Sequence, residues 1–164
     1  MLLPLSNGLY GFINSNNSVK TSGFETNLRA SYDIVKLFAG YTYTNAKAGY
    51  LVGNQILPLT PKSKLNSSLV FEKESNFKTG IEAYYTSTQF LSNRFRTKSY
   101  WVMGLFGEKT FGKYTLFINA ENITDTRQSR FGQVVFPPFN NPTFAEIYTL
   151  TEGRIFNGGI KIRF

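Results

Sequence analysis

The side chains with the most to offer chemically are arginines in two long connections. Arg94 and Arg96 sit in a segment at residues 91–97, with Lys98 just after it. Arg127 and Arg130 sit in a longer stretch, residues 125–150, together with Gln133, Phe136, Phe139, Asn140 and Asn141. A guanidinium is a planar fork of donors that fits a carboxylate or phosphate with two parallel hydrogen bonds. The chemistry on offer is therefore capture of an anion; the plainer reading of the same residues is a solvated basic rim. Catalysis is not indicated. The chain has no His and no Cys, which removes imidazole bases, thiolate nucleophiles, disulfides and Cys/His metal sites. Carboxylates such as Glu25 and Glu82 are dispersed, and nothing pairs two of them for acid–base work. No catalytic residue, cofactor or metal is expected.

The elements that carry these loops have a period of two, not 3.6. From Gly23, the residues Phe24, Leu28, Ala30 and Tyr32 share one face, opposite Glu25, Asn27, Arg29 and Ser31. The pattern recurs as Leu37, Ala39, Tyr41, Tyr43; Leu65, Leu69, Phe71; Ile81, Ala83, Tyr85; Tyr114, Leu116, Ile118, Ala120; and Phe156, Ile160, Ile162, Phe164. Residues 99–110 are apolar on both parities, so their faces stay open. These runs make seven strands, and a piece of an eighth is expected at Gly8–Asn14. Short joins at Asp33-Ile34, Ser75-Asn76 and Phe111-Gly112-Lys113 alternate with long ones at 15–20, 45–62, 91–97 and 125–150. All six prolines are expected outside strands, where no ladder hydrogen bond is lost. The fold class is all-β: an antiparallel up-and-down meander of about eight long strands, in one domain spanning residues 1–164.

Alternation alone fits a soluble sandwich, with the apolar face turned inward, or a transmembrane β-barrel, with that face turned to lipid. Aromatic residues are 16% of the chain and charged residues 17%, well below the ~25% charged of ordinary soluble domains. Runs of ten or so residues match a bilayer-spanning strand. Tyr32, Tyr43, Phe71, Tyr85, Tyr114 and Phe164 stand at the ends of apolar faces, as an aromatic girdle would. The alternating short and long connections also match an outer-membrane barrel. Glu25, Asn27, Arg29, Glu72, Glu82, Asn119 and Glu121 would then line a lumen, where Gly40, Gly80 and Gly159 leave space.

Particular segments resemble one family. Phe117-Ile-Asn-Ala-Glu-Asn-Ile-Thr-Asp-Thr-Arg127 resembles the penultimate strand and following loop of TonB-dependent outer-membrane receptors. Glu152-Gly-Arg-Ile-Phe-Asn-Gly-Gly-Ile-Lys-Ile-Arg-Phe164 resembles their closing strand, with its Gly-Arg pair and terminal aromatic. Ser22–Leu28 is similar to their Gly-x-Glu strand opening, and Pro61–Asn66 to their Pro-x-x-x-Leu pattern. The resemblance covers about residues 8–164. It implies that residues 1–164 are the carboxyl-terminal portion of such a barrel. The signal peptide, TonB-contacting segment and plug domain of the family are not recognisable here; Met1-Leu-Leu-Pro-Leu5 lacks the charged flank and the apolar length of a signal peptide.

The resemblance further implies a bacterial outer-membrane location and uptake of a large, scarce ligand, a ferric siderophore being the commonest class. Partners would be outer-membrane lipid and lipopolysaccharide, the TonB complex through the amino-terminal part, and the barrel-assembly machinery. Phe156, Ile160, Ile162 and Phe164 would form the assembly signal, an edge strand offered for β-augmentation. Arg94, Arg96, Arg127 and Arg130 would lie outside the cell, facing an anionic ferric chelate or lipopolysaccharide phosphates. Two other readings remain: a complete eight-stranded outer-membrane barrel with a structural or adhesive role, and a soluble β-sandwich binding module. Nucleic-acid binding is not expected despite the net charge of +8, because the cations and the aromatics occupy opposite faces. The Asn-x-Ser/Thr triplets at Asn16, Asn66 and Asn122 are read as chance.

Overall fold

The protein is described here as a computed structural model, which covers residues 2–4, 9–12, 14 and 17–164. Its strands are β1 (Leu2–Pro4), β2 (Tyr10–Phe12), β3 (Val19–Tyr32), β4 (Val35–Ala48), β5 (Ser63–Lys73), β6 (Phe77–Thr86), β7 (Tyr100–Phe111), β8 (Tyr114–Glu121), β9 (Val135–Phe136), β10 (Thr143–Phe144) and β11 (Ile155–Ile162). Seven of them form one antiparallel meander in the order β11-β8-β7-β6-β5-β4-β3. The tight turns fall where the sequence puts them. Asp33, Ser75 and Gly112 carry the positive φ values (48°, 56° and 60°) that such reversals need.

Register settles the two faces. Glu25 lies opposite Thr42, Thr42 opposite Lys64, Lys64 opposite Thr86, and Thr86 opposite Tyr100. The even residues of β7, including Val102 and Phe106, therefore share the polar face, and Trp101, Met103 and Leu105 the apolar one. Among the described residues nothing covers the apolar face: Leu28, Ile118 and Ile160 are 56%, 63% and 64% exposed. Among the described residues the only buried apolar side chains are Ala46 and Ala48. A sandwich would pack a second sheet there, and none is present among the described residues. No described helix is long and apolar enough to cross a membrane, which says nothing about crossing by strands.

The apolar face is banded. Tyr41, Leu65, Tyr85 and Trp101 form one row near the long-loop end, with Tyr85 and Trp101 ring centroids 5.1 Å apart and Phe24 stacked on Tyr43 at 5.7 Å. Tyr32, Phe71, Phe77, Phe111 and Tyr114 mark the short-turn end. Phe77 to Tyr85 on β6 is eight residues, about 27 Å along the strand; at a tilt near 40° that is about 21 Å of height, close to the ~25 Å apolar band of an outer-membrane barrel.

Several sequence expectations need correction. Pro4 lies within β1, which pairs antiparallel with β2 as a separate two-stranded sheet. The expected eighth strand at Gly8–Asn14 is thus only Tyr10–Phe12 and does not join the main sheet; Gly8 and Ile13 lie outside the described residues. β3 and β4 are longer than the alternation suggested, continuing past their apolar stretch to Val19 and Ala48, whereas β11 stops at Ile162, short of the expected end at Phe164. The long connection after β8 is not structureless: it holds a 3-10 turn at Gln128–Arg130 and the β9–β10 hairpin. The space left by inward glycines is filled. A Cβ on Gly80 or Gly159 would stand 2.7 or 2.8 Å from the ring of Phe106 or Phe117, each directly opposite in register, and Gly40 is flanked by Asn27 and Asn66.

Candidate functional site

The long connections gather at one end of the sheet and are stitched to one another. The 87–99 connection folds on itself around an antiparallel bridge between Phe90 and Arg96. The buried Gln89 N–H donates to Thr97 Oγ1 at 2.9 Å. This connection is tied to residues 49–62 by Leu59 N–H on Phe90 O at 2.8 Å and by Arg94 Nη1 on Ile56 O at 3.1 Å. It is tied to the last long connection by Glu146, whose two oxygens accept from Ser92 N–H and Ser92 Oγ, both at 2.7 Å.

That last connection is cinched at its base by Asn122. The side chain is 5% exposed, and the backbone is left-handed (φ 49°), a conformation asparagine tolerates better than most residues. Its Nδ2 donates to Thr126 O at 2.9 Å, with longer contacts to the carbonyls of Glu152 and Gly153. Its Oδ1 accepts from Thr126 N–H at 2.8 Å. Further out, Gln128, 3% exposed, donates to Glu146 O and accepts from Tyr148 N–H, both at 2.8 Å. These bonds lay residues 146–150 over the polar face. There Tyr148 O accepts from Tyr100 Oη at 3.2 Å, and Phe131 stands 6.3 Å from both rings. Burial, and secondarily Tyr100, pushes the Tyr148 phenol above the ordinary tyrosine range.

All four candidate arginines lie in this crown, and each has a partner within the chain. Arg94 reaches Ile56 O, and Arg96 Nε reaches Thr88 Oγ1 at 3.0 Å. Arg127 and Arg130 are brought together by one carboxylate, Asp125, at 3.4 and 3.2 Å. Both keep about half of their side chains in solvent, whereas Asp125 is 16% exposed. The pair therefore presents two forks over one acid, a net positive surface. Of the residues that build the crown, Gln89, Gln128 and Glu146 were not singled out by sequence reasoning, and Asn122 was noted only as a chance Asn-x-Thr triplet. Asn122 alone carried a signal, as the Asn before Ile-Thr-Asp in the quoted segment.

The lumen-facing set shares the polar face as expected. Asn27 donates to Glu25 at 3.0 Å, Lys36 pairs with Glu72 at 3.1 Å, Tyr84 donates to Glu82 at 3.2 Å, and Asn119, Asn157 and Glu121 form a chain of hydrogen bonds. Arg29 stands over the Phe38 ring at 5.6 Å. This is a hydrated, internally paired wall. Among the described residues no cluster of acids could hold a metal ion. Of the sequons, Asn66 is on this wall, Asn122 is buried, and Asn16 lies outside the described residues. On the opposite face of β11, Phe156, Ile160 and Ile162 are exposed in a row, and Phe164 follows beyond the strand.

Comparison with known proteins follows from this geometry. No curated protein matches the sequence. Among solved structures, the chain resembles the ferric-catecholate import receptor Fiu from K12 E. coli in its closed form, with a TM-score of 0.66 and 18% identity. The likeness covers 99% of this chain but only 23% of that one, and at such identity it speaks to the fold. The family model for "TonB dependent receptor-like, beta-barrel" matches residues 2–123. The match takes in Ser22–Leu28, Pro61–Asn66 and the β8 segment, and the closing-strand segment at residues 152–164 lies outside it. An open antiparallel arc, apolar outside and polar inside, and a family match over most of the chain lead to one assignment: the chain belongs to the β-barrel family of TonB-dependent receptors.

Proposed function

We propose that residues 1–164 are the carboxyl-terminal portion of the wall of an outer-membrane receptor that imports a large, scarce ligand with energy from the TonB complex. The ligand class is a ferric siderophore. The observation that carries this reading is the open arc itself. Among the described residues, seven strands with a bare apolar face and a polar inner face end at two free edges, β3 and β11, which do not pair with each other. Free edges and bare apolar surface are both intolerable in isolation, and further strands and lipid relieve both. The arc spans 23% of the Fiu chain, and Fiu's ferric-catecholate cargo supports the siderophore class. In this reading the long-loop end faces outward, Arg127 and Arg130 offer an anionic chelate or lipopolysaccharide their free donors, and Phe156, Ile160, Ile162 and Phe164 on the β11 edge are read by the assembly machinery.

The test is uptake of radiolabelled iron by iron-starved cells supplied with a panel of ferric siderophores. Loss of uptake of one chelate on deleting the gene, with equal loss on disabling TonB, is the expected result. Unchanged uptake of every chelate overturns the ligand class. A protein found outside the outer-membrane fraction overturns the whole reading.

A further inference from the structure

At the short-turn end the charges are sorted by face. Glu72 and Glu108 point to the polar inner face, where each has its own lysine: Lys36 at 3.1 Å and Lys161 at 2.7 Å. The cations beside those acids in sequence point the other way. Lys73 on β5 lies opposite Phe77 on β6, and Phe77 lies opposite Lys109 on β7, so the three form one row across the outer face. Both lysines are exposed, and neither forms an ion pair. Lys109 Nζ is held by Asn76 Oδ1 and stands 5.9 and 6.0 Å from the rings of Phe77 and Phe111. The nearby turn acids, Asp33 and Glu74, pair with neither. On the β8 side Lys109 lies opposite the apolar Leu116, and on the β4 side the ladder ends at the Val35–Phe71 pair, so Lys73 stands just beyond it, beside the turn that carries Asp33.

We infer that Lys73, Phe77 and Lys109 form a headgroup site for an anionic phospholipid of the leaflet at the short-turn end. The inference rests on the membrane-barrel reading above. Adjacent strands are ~4.8 Å apart, so the two lysine backbones are about 10 Å apart across Phe77. Four-carbon stems at the edge of an apolar band run their ammonium groups out to headgroup level, and from there both reach one phosphate. The aromatic between them packs on the glycerol and upper acyl carbons, as interfacial aromatics do. A zwitterionic headgroup carries its own cation and cancels part of this attraction. Phosphatidylglycerol, with a bare phosphate charge, fits best. The charge sorting supplies the specificity: Glu72 and Glu108 are turned inward and neutralised there, which leaves the turn acids Asp33 and Glu74 as the anions nearest the row.

The test uses the full-length polypeptide extracted from outer membranes in a neutral detergent. Phosphatidylglycerol or phosphatidylcholine with identical chains is titrated in, and bound lipid is counted by native mass spectrometry. Wild type should favour phosphatidylglycerol, and the preference should fall about fivefold for each lysine removed in Lys73→Gln and Lys109→Gln. Lys36→Gln with Lys161→Gln changes the net charge by the same amount on the inner face and should leave the preference intact. Equal loss in both double variants assigns the effect to net charge and overturns the site, as does a preference surviving Lys73→Gln/Lys109→Gln. Displacement of the lipid by millimolar inorganic phosphate would show a plain anion site and overturn the lipid assignment. A protein that stays dispersed without detergent and binds neither lipid refutes the membrane reading; one that binds both lipids equally refutes only the headgroup site.

Discussion

Removing the Asn122 side chain should free the whole of the last long connection while leaving the wall intact. In Asn122→Ala the Thr126 N–H loses its 2.8 Å acceptor and Thr126 O its 2.9 Å donor, both on a residue only 8% exposed. An orphaned buried group costs about 1–3 kcal/mol, and alanine at φ 49° adds ~1 kcal/mol over asparagine. Partial access of water to the opened base offsets some of this, so about 3 kcal/mol of local stability should disappear. That is roughly a hundredfold rise in the opening equilibrium of residues 126–152. Amide hydrogen exchange of the peptide containing Thr126, followed in membranes, reads this directly; trypsin cleavage after Arg127 and Arg130 gives an independent measure. Asn122→Asp is the informative companion, since it keeps the acceptor for Thr126 N–H but turns a carboxylate oxygen toward three carbonyls, and it should loosen the loop nearly as much. Exchange in Asn122→Ala within threefold of wild type would refute the argument that this one side chain cinches the loop.

Gly159→Ala should cost about 1–3 kcal/mol by driving a methyl into the Phe117 ring, and Phe117→Ala should recover part of that loss in a double-mutant cycle of thermal stability. Gly80→Ala should not be rescued equally by Phe106→Ala, because the carbonyl of Leu69 lies 2.6 Å from the added methyl as well. The lone tryptophan, Trp101, is 44% exposed on the outer face; its fluorescence should be quenched by brominated acyl chains and spared by aqueous iodide, and the reverse result would remove the lipid-facing assignment. Asp125→Asn removes the charge shared by two partly exposed ion pairs while suiting the left-handed backbone (φ 55°), and should shift stability by less than ~1 kcal/mol; Arg127→Ala/Arg130→Ala should weaken binding of an anionic chelate without altering thermal stability, and unchanged affinity counts against their assigned role. The Tyr148 phenol has its pKa raised by burial, so its neutral form favours the folded strap at physiological pH. That contribution is lost as pH rises through the folded value, and protease access to residues 146–150 should grow there in wild type but not in Tyr148→Phe.

The wall was legible in the sequence because its logic is local. Period-two alternation located six of the seven main strands, the apolar run at 99–110 marked the other, and Asp33-Ile34, Ser75-Asn76 and Gly112-Lys113 punctuated them. The faces of β7 were illegible for a definite reason. Val102 and Phe106 are apolar yet point inward, and the space for Phe106 is provided by Gly80 on another strand, a fact visible only once register is known. The crown was opaque for the same reason at longer range. Gln128 binds residues 18 and 20 positions away, and Ser92 meets Glu146 across 54; a glutamine or serine in a polar loop announces no such partner. The candidate arginines were found by type and location alone; the tether that Arg127 and Arg130 share at Asp125, and the partners of Arg94 and Arg96, required the fold.

The two free edges differ in height. β3 offers fourteen residues of unpaired backbone and β11 only eight. Laid against each other they would leave six residues of β3, about 20 Å of donors and acceptors, with nothing beside them. The arc is thus lopsided in the way a spiral staircase is at its first and last tread. A strand paired along the whole of β3 would need fourteen residues and one paired along β11 only eight, so the two edges differ in length before any side chain is read.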